Sequence, residues 1–552
     1  MGLLITILSL LAAVIAVTPR ERQLDLRVRF KVLDWAIASI GTLALIGLEF
    51  YEFLETHFSF VPPEKSWPTG LTSKNAIYLI FLVVALVIPL RLRFAKLSKR
   101  RMSIFRELIE ELYWNGNYGE LIALLQTHLK SLFRIYRDDF PISRLRAKVY
   151  PLAFPHYDPA VIEEILKAVN GPSKTKPRKR RNEFQERLAF RFKRIAWRLL
   201  KLLPDGGTAK EDATELIRGI FFAPKFVTAL SQTRPYLGLE IFTEFKNTFD
   251  RTEFIELFMR ELLKDSHSVL FREIRNNQNM SGRRYQLPET NRLLFFLLKD
   301  LNFAKDVNIY KPVGDFMLTY LDELAAGTTK DPYNRPSDSE YERNGVWESP
   351  LYIGILFFDI MVREALFKGM EWHMWLYYMP LVVKEIEKNY SFDGLGSDHE
   401  HYQYPSRYAQ LLYRIFRNMR DWILGVQDVP SDQANVKLRR ADDEHENGNI
   451  PKSSIIAFCE SLYTVLVSER IGEKTKASLA DMAFEIYFEL RASGKYDSYA
   501  VSILLAMTHE KSYAKQAPKY RGLLAKFFKE QRIEYRLKRK EEHVDSVQAA
   551  LK

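Results

Sequence analysis

Apolar residues gather in three long runs near the start of the chain, and farther along they recur at helical spacing. The three runs cover residues 2–17, 33–51 and 76–90. The second run approaches the roughly 20 apolar residues that a helix needs to cross the hydrocarbon core of a bilayer. The two shorter runs can cross with the help of interfacial residues and a locally thinned bilayer. The pattern predicts three transmembrane helices within a transmembrane region of residues 1–90.

The first run also resembles a secretory signal peptide, because the small residues before Val17 are typical of a cleavage site. A signal peptide normally begins with a short basic segment, and no Lys or Arg precedes this run. The sequence therefore favours an uncleaved membrane helix.

Basic residues are distributed unevenly around the three runs. Five lie between the first and second runs, two between the second and third, and six in residues 91–101. Short loops on the cytoplasmic side of a membrane carry an excess of Lys and Arg. The charge pattern therefore predicts a multi-pass membrane protein, with its N-terminus outside and its main body cytoplasmic.

From residue 103 onward, apolar residues three and four positions apart predict one helix after another, and residues 115–119, Asn-Gly-Asn-Tyr-Gly, predict a break within the first helical hairpin. Alternating patterns typical of strands are rare. We expect an all-α fold, with a three-helix transmembrane region followed by a large multi-helical cytoplasmic body. Polar segments divide this body into a helical hairpin or linker domain (91–170), a main helical domain (183–425) and a C-terminal helical domain (453–552).

Two further apolar stretches, residues 349–362 and 369–383, are too short to cross a bilayer and contain Asp359, Glu371 and His373. Their composition is typical of buried helices in a large helical core.

The strongest local charge lies in residues 174–201, which hold twelve Lys or Arg against two acids, while the whole chain has a net charge of +12. If residues 183–202 are helical, basic side chains form a stripe beside an apolar one. Three partners suit such a stripe: water and acidic helices of the protein itself, anionic lipid, or a nucleic acid or nucleotide. A second segment, residues 276–286, contains Asn, Arg and Tyr, which suit base edges and phosphates. The residues predicted to bind an anionic ligand are Arg187, Arg191, Arg194, Arg198, Trp197, Asn277, Arg283, Arg284 and Tyr285.

Catalytic and cofactor motifs are missing from the sequence. It contains no phosphate-binding glycine loop, no nucleophile elbow, and neither of the His or Cys pairs typical of zinc sites. Residues 398–401, Asp-His-Glu-His, are the best metal-like cluster, and a solvated loop explains them better. The only cysteine, Cys459, cannot form an internal disulfide. We expect no catalytic residues, no metal and no cofactor, and an enzyme ranks last among the hypotheses.

Three N-terminal membrane runs followed by a motif-poor helical body resemble, in layout, the membrane effectors of bacterial anti-phage defence systems. The resemblance implies an oligomeric effector in a bacterial inner membrane. Its body would sense an anionic ligand, a nucleotide or a short single-stranded nucleic acid, and gate a pore or disrupt the membrane. The pore would be lined partly by Ser39 and Thr42. Expected partners are the membrane, further copies of the chain, and a protein of the same system.

An alternative is a membrane-tethered helical scaffold that recruits partners and does not conduct. The small residues of the second run, which include Ser39 and Thr42, would then serve close packing between membrane helices.

Overall fold

The structure is a computed structural model, and it describes residues 17–58, 61–63, 67, 72–140, 207–328, 331–370, 374–391, 403–428, 449–508, 518–530 and 541–552, with positions 9, 144 and 149. The first apolar run, apart from positions 9 and 17, lies outside these residues. So do the basic segment 174–201 and the cluster at 398–401. The predictions for those segments stay predictions.

The described residues are almost entirely helical, and the strands among them form a single two-stranded hairpin. The all-α fold class is therefore confirmed. The chain forms two compact units, Met1–Thr233 and Arg234–Lys552, which are treated separately below.

Eight helices are described in the first unit. They are α1 (Arg20–Arg29), α2 (Val32–Glu49), α3 (Tyr51–His57), α4 (Ser73–Phe94), α5 (Met102–Trp114), α6 (Tyr118–Tyr136), α7 (Gly207–Leu216) and α8 (Pro224–Thr233). A 3₁₀ turn, Lys99–Arg101, leads into α5, and a π-helical turn, Ile217–Phe221, follows α7.

Helices α2 and α4 pack against each other along their length. Gly41 of α2 makes the close approach possible, because a Cβ atom there would lie 2.8 Å from a methyl carbon of Val84 on α4. Leu45 and Ile77 are buried in the contact. Small residues serve the same purpose in membrane helix pairs, where they let two backbones come together.

The α5–α6 hairpin forms the core of the rest of the first unit, with α7 and α8 packed on it. Apolar side chains line the facing sides of α5 and α6 at helical spacing and are buried. Gly116 turns the chain between the two helices with a φ of +72°, a conformation that favours glycine. The predicted helical break at residues 115–119 is thus confirmed.

The second unit contains fifteen described helices and the β-hairpin. They are α9 (Pro235–Glu244), α10 (Thr248–Lys264), α11 (Val269–Asn276), β1 (Met280–Ser281), β2 (Arg284–Tyr285), α12 (Arg292–Leu298), α13 (Leu301–Asp306), α14 (Tyr310–Ala325), α15 (Ser339–Arg343), α16 (Pro350–Phe367), α17 (Tyr378–Asn389), α18 (Arg407–Leu424), α19 (Ile450–Val467), α20 (Glu473–Ala492), α21 (Asp497–Thr508), α22 (Pro518–Glu530) and α23 (Glu541–Leu551). Three 3₁₀ turns, Gly345–Glu348, Met374–Tyr377 and Gly425–Asp428, join some of them.

Helix α16 lies at the centre of the second unit, and nearly all of its residues are buried. It packs against α14, α18 and β2. The expectation that residues 349–362 form a core helix is therefore confirmed. Helix α19 packs against α17, α18 and α21, so the helices on both sides of residues 429–448 share one core.

Two described helices, α4 and α19, are long and apolar enough to cross a membrane, and the bent pair of α1 and α2 would make a third span. Only 11% of the apolar window of α4 is buried inside the protein, against 67% for α19. Because neighbouring helices already remove most of α19 from water, packing in the core of the second unit accounts for its apolar composition.

Gly314 of α14 tests how closely the second unit is packed. A Cβ atom there would lie 2.2 Å from the Tyr378 ring on α17. We expect Gly314→Ala to lower the free energy of unfolding by about 1–3 kcal/mol, because the added methyl group overpacks the contact. Urea denaturation followed by circular dichroism would measure the change.

Gly522→Ala is the matched control, since Gly522 lies inside α22 with no atom near its Cβ position. The replacement of a helical glycine in open space should leave stability unchanged or raise it by up to about 1 kcal/mol. Equal losses in both variants would contradict the packing argument.

Candidate membrane anchor and candidate ligand cleft

The outer surface of the α2–α4 pair is apolar and exposed. Leu43, Leu82 and Leu86 keep 68%, 65% and 65% of their surface. Other large apolar side chains continue this surface, namely Leu33, Trp35, Ile40, Ile46, Tyr78, Leu79, Val83, Leu90 and Phe94. A contiguous apolar surface of this kind marks a site of contact with a membrane or with another protein.

Ionic contacts cross between the two helices at one end of the pair. The Asp34 carboxylate is almost completely buried and accepts from Nε of Arg91 at 2.8 Å and from the backbone N–H of Lys31 at 2.9 Å. Nearby, Arg29 donates to the carbonyl of Leu92 at 3.0 Å, and Arg101 to the carbonyl of Phe30 at 2.7 Å. The arginines that surround the apolar runs therefore also join the ends of the helices.

Helix α1 is joined to the α5–α6 hairpin through Asp25. This carboxylate lies 2.8 Å from Nε2 of His128 on α6 and 2.7 Å from Nε of Arg29. Burial opposes the charged form of Asp25, but the hydrogen bonds of His128 and Arg29 outweigh it and hold the pKa of this carboxyl below its ordinary value. The ionised carboxylate thus fastens α1 to the helical part of the first unit.

Aromatic residues gather at the opposite end of the α2–α4 pair. The Tyr51 hydroxyl donates to the carbonyl of Pro62 at 2.5 Å and accepts from Nε1 of Trp67 at 3.1 Å. Their rings meet edge to face, 4.7 Å apart. Tyr and Trp are enriched where membrane helices meet the headgroup region, since one side of the ring is apolar and the other forms hydrogen bonds.

Ser39 and Thr42 lie on an exposed side of α2, away from the contact that Gly41 and Leu45 make with α4. The Thr42 hydroxyl donates to the carbonyl of Ala38 at 2.8 Å. Their role in lining a pore stays a prediction.

In the second unit, the segment predicted to bind an anionic ligand forms the β-hairpin. Met280 pairs with Tyr285 and Ser281 with Arg284, and Gly282 turns the chain with a φ of +60°. A two-residue turn of this kind requires a residue that tolerates positive φ. The hairpin places Arg283, Arg284 and Tyr285 together beside α16.

Asp359 of α16 is the centre of a buried hydrogen-bond network, and none of its surface is exposed. It accepts from the Tyr285 hydroxyl at 2.7 Å, from Nε1 of Trp422 at 2.8 Å and from Nε of Arg363 at 2.8 Å. Arg363 also donates to Asp421 at 2.8 Å. Burial, and then the Asp359 charge, raise the pKa of Tyr285, so this hydroxyl keeps its proton and donates it.

The two arginines of the hairpin are also engaged within the fold. Arg284 donates through Nε and Nη2 to the two carboxylate oxygens of Glu364, each at 2.9 Å. Arg283 donates to the carbonyl of Leu424 and lies 3.7 Å from Asp428. These residues are therefore part of a structural network, and their binding of an anionic ligand stays a prediction.

Asn277, the fourth described residue of the predicted ligand set, lies below the surface, with 1% of its area exposed. Its Oδ1 atom accepts from Nδ2 of Asn291 at 3.3 Å. Arg187, Arg191, Arg194, Trp197 and Arg198 lie outside the described residues.

One cavity opens beside the β-hairpin, and a second cavity adjoins it. The first has a volume of about 480 Å³ and is lined by Arg284, Tyr285, Lys299, Glu364, Phe367 and Lys368, among others. The second has a volume of about 690 Å³ and is lined mostly by Tyr236, Phe242, Phe295, Phe296, Phe303 and charged residues. Phe295 and Lys299 belong to the walls of both. We call the two cavities together the cleft. Their sizes are typical of small-molecule sites.

Comparison of the chain with protein-family models, with curated proteins and with solved structures found no match.

Within the described part of the chain, no three His, Cys, Asp or Glu side chains are grouped so that they could hold a metal ion. The sequence did place Arg284 and Tyr285 at a candidate ligand site, and both line the cleft. Sequence reasoning missed the aromatic residues of the cleft, because Phe295 and Phe296 lie in a run that indicates only an apolar helix. Lys299 follows that run, and this basic residue was the only feature there that could have indicated a ligand site.

Tyr285→Phe tests the buried network. The substitution removes one of the donors to Asp359 and leaves a buried carboxylate with a hydrogen bond missing. We expect the free energy of unfolding to fall by about 1–3 kcal/mol. Tyr377→Phe is the control, because Tyr377 is 48% exposed, and it should have little effect in the same denaturation assay. If Tyr377→Phe lost stability and Tyr285→Phe did not, the result would count against the network.

Proposed function

We propose that this protein is a multi-pass membrane protein that tethers a large helical body to the inner face of a membrane. The observation that carries the proposal is the apolar outer surface of the α2–α4 pair, where Leu43, Leu82 and Leu86 are each about two-thirds exposed. Because apolar surface leaves water spontaneously, a surface of this extent needs a bilayer or a protein partner around it.

The ends of the α2–α4 pair differ in chemistry, which supports an orientation. Lys31, Arg91 and Arg93 lie at one end, next to the α1 and Lys99–Arg101 segments, while Tyr51 and Trp67 lie at the other. The basic end would face the cytoplasm and the anionic inner leaflet. The body, which follows α4 in the chain, would then be cytoplasmic. The first run, residues 2–17, would add a further crossing.

A tether whose body recruits partners is the function that the geometry supports best. The basic residues described in the predicted ligand set, Arg283 and Arg284, are bound to carboxylate or carbonyl oxygens of the second unit. Their charges therefore serve the stability of the fold first.

Membrane extraction tests the anchor. We expect the intact chain to remain in the membrane pellet after alkaline carbonate treatment, and protease added from outside to leave residues after 101 intact. Leu82→Arg places a charge on the lipid-facing surface, at a cost of about 2.5–3.5 kcal/mol near the middle of a membrane helix, and should raise the extracted fraction.

Trp114→Arg is the matched control, because Trp114 is 81% exposed at the end of α5, outside the apolar helix pair. It should leave membrane retention unchanged. An intact chain that is freely soluble, or cleavage past residue 101 from outside, would overturn the tether.

A second candidate is an oligomeric effector that gates a pore in response to an anionic ligand. It is favoured by one observation, that Ser39 and Thr42 share an exposed side of α2 that does not contact α4. Polar side chains on that side could meet the same helix of other copies and face water between them.

Cysteine cross-linking tests the effector. We expect Ser39→Cys to form disulfide-linked dimers in oxidised membranes, because α2 helices of adjacent copies would meet there, and cells expressing the protein to admit a small dye. The background is low, since the native Cys459 is completely buried. Leu45→Cys, buried against α4, is the control and should not cross-link. Absence of both cross-links and dye entry would exclude the effector, and the tether would be the remaining proposal.

A further inference from the structure

The two cavities of the cleft differ in charge. Three cations and one carboxylate line the first, Arg284, Lys299, Lys368 and Glu364. Three cations and three acids line the second, Arg251, Arg292, Lys299, Glu240, Glu289 and Asp300. The first cavity therefore carries a net charge of +2 (three minus one), and the charges of the second cancel. A ligand that carries a localised negative charge would place it in the first cavity.

The cations of the first cavity are not equally engaged. Arg284 forms a two-pronged ion pair with Glu364, and the Glu364 side chain is only 3% exposed. Lys299 and Lys368 are on the surface, and the Lys368 ammonium donates to the Lys299 carbonyl, which keeps the two lysines side by side. The Lys299 ammonium lies 4.3 Å from the centre of the Phe295 ring. Two lysines and an arginine in the lining of one cavity suit the oxygens of a phosphate group.

The second cavity is aromatic. Phe242, Phe296 and Phe303 meet edge to face in all three pairs, with ring centroids 5.6–5.9 Å apart. The Arg292 guanidinium, which also lines this cavity, lies 4.4 Å from the centre of the Tyr236 ring. Rings and a stacked guanidinium in one wall suit a planar aromatic group. The acids of this cavity could accept hydrogen bonds from amino or hydroxyl groups on such a ligand.

We propose that the cleft binds a small phosphorylated compound with a planar aromatic ring, such as a nucleoside monophosphate. The phosphate lies in the first cavity against Lys299 and Lys368, and the ring lies in the second against Phe296 and Phe303. Lys299, which belongs to both walls, stands between the two parts of the ligand. The site goes beyond the tether proposal, because it lies wholly in the second unit and does not depend on membrane insertion.

Isothermal titration of the full chain in detergent tests the site with adenosine monophosphate, adenosine and inorganic phosphate as probes, followed by the guanosine, cytidine and uridine monophosphates. We expect at least one monophosphate to bind, and its nucleoside and phosphate alone to bind roughly tenfold or more weakly, because each makes only half of the contacts. Failure of all four monophosphates to bind would overturn the proposal and leave the membrane tether untouched.

Substitutions separate the two halves of the site. The double variant Lys299→Ala, Lys368→Ala should weaken the monophosphate roughly tenfold or more through the lost charged contacts. It should leave the binding of the nucleoside unchanged. Phe303→Leu keeps an apolar side chain but removes the ring, and should weaken monophosphate and nucleoside alike.

Lys495→Ala is the control, since Lys495 is an exposed lysine of the same unit that does not line either cavity. It should bind all probes as the parent chain does. Thermal unfolding checks that each variant is folded. If Phe303→Leu is unstable, the double variant Lys299→Ala, Lys368→Ala, whose lysines are exposed, tests the site without it. Binding of phosphate alone as tight as that of the monophosphate, or unchanged affinity in the double lysine variant, would overturn the proposal.

Discussion

The removal of apolar surface from water is the constraint on which both units depend, and they meet it in different ways. Helix α19 is apolar enough to cross a membrane, yet neighbouring helices bury 67% of its apolar window. Helix α4 is more apolar than α19, and only 11% of its window is buried. Among the residues that the structure describes, α2 covers one side of α4 and leaves the rest exposed. The same physical force therefore builds a core in one case and requires an outside partner in the other.

Buried and half-buried charges are placed where two helices, or a helix and a hairpin, must be fixed against each other. Asp34 joins the ends of α2 and α4 through Arg91, and Asp25 joins α1 to α6 through His128. Asp359 does the same for α16, α18 and the β-hairpin. A carboxylate out of water is costly unless its oxygens accept hydrogen bonds, so each of these sites requires its partners in one arrangement.

The cleft shows how the second unit divides its cations between stability and surface chemistry. Arg284 of the β-hairpin is paired with Glu364 of α16, which holds the hairpin on that helix, and the charge of Arg363 is matched by Asp359 within α16. Lys299 and Lys368 stand at the mouth of the first cavity. The network thereby builds the wall of the cleft, and the lysines supply the charge that a ligand would meet.

The sequence by itself determined the all-α class, the apolar second and third runs, the break between α5 and α6, and the burial of residues 349–362. Each of these follows from local periodicity or from a turn residue, which can be recognised within a few helical turns. The sequence also identified Arg284 and Tyr285 as candidate ligand residues, from their types alone.

Only the tertiary structure decided what those side chains do. Arg284 is paired with a carboxylate 80 positions away in the chain, and Tyr285 with one 74 positions away. The aromatic wall of the cleft combines Phe242 with Phe296 and Phe303, from separate helices. Local patterns show which face of a helix is apolar, but the neighbour that covers that face or neutralises a charge is set by contacts between distant parts of the chain. The use of a charged or aromatic residue therefore became visible only in the folded protein.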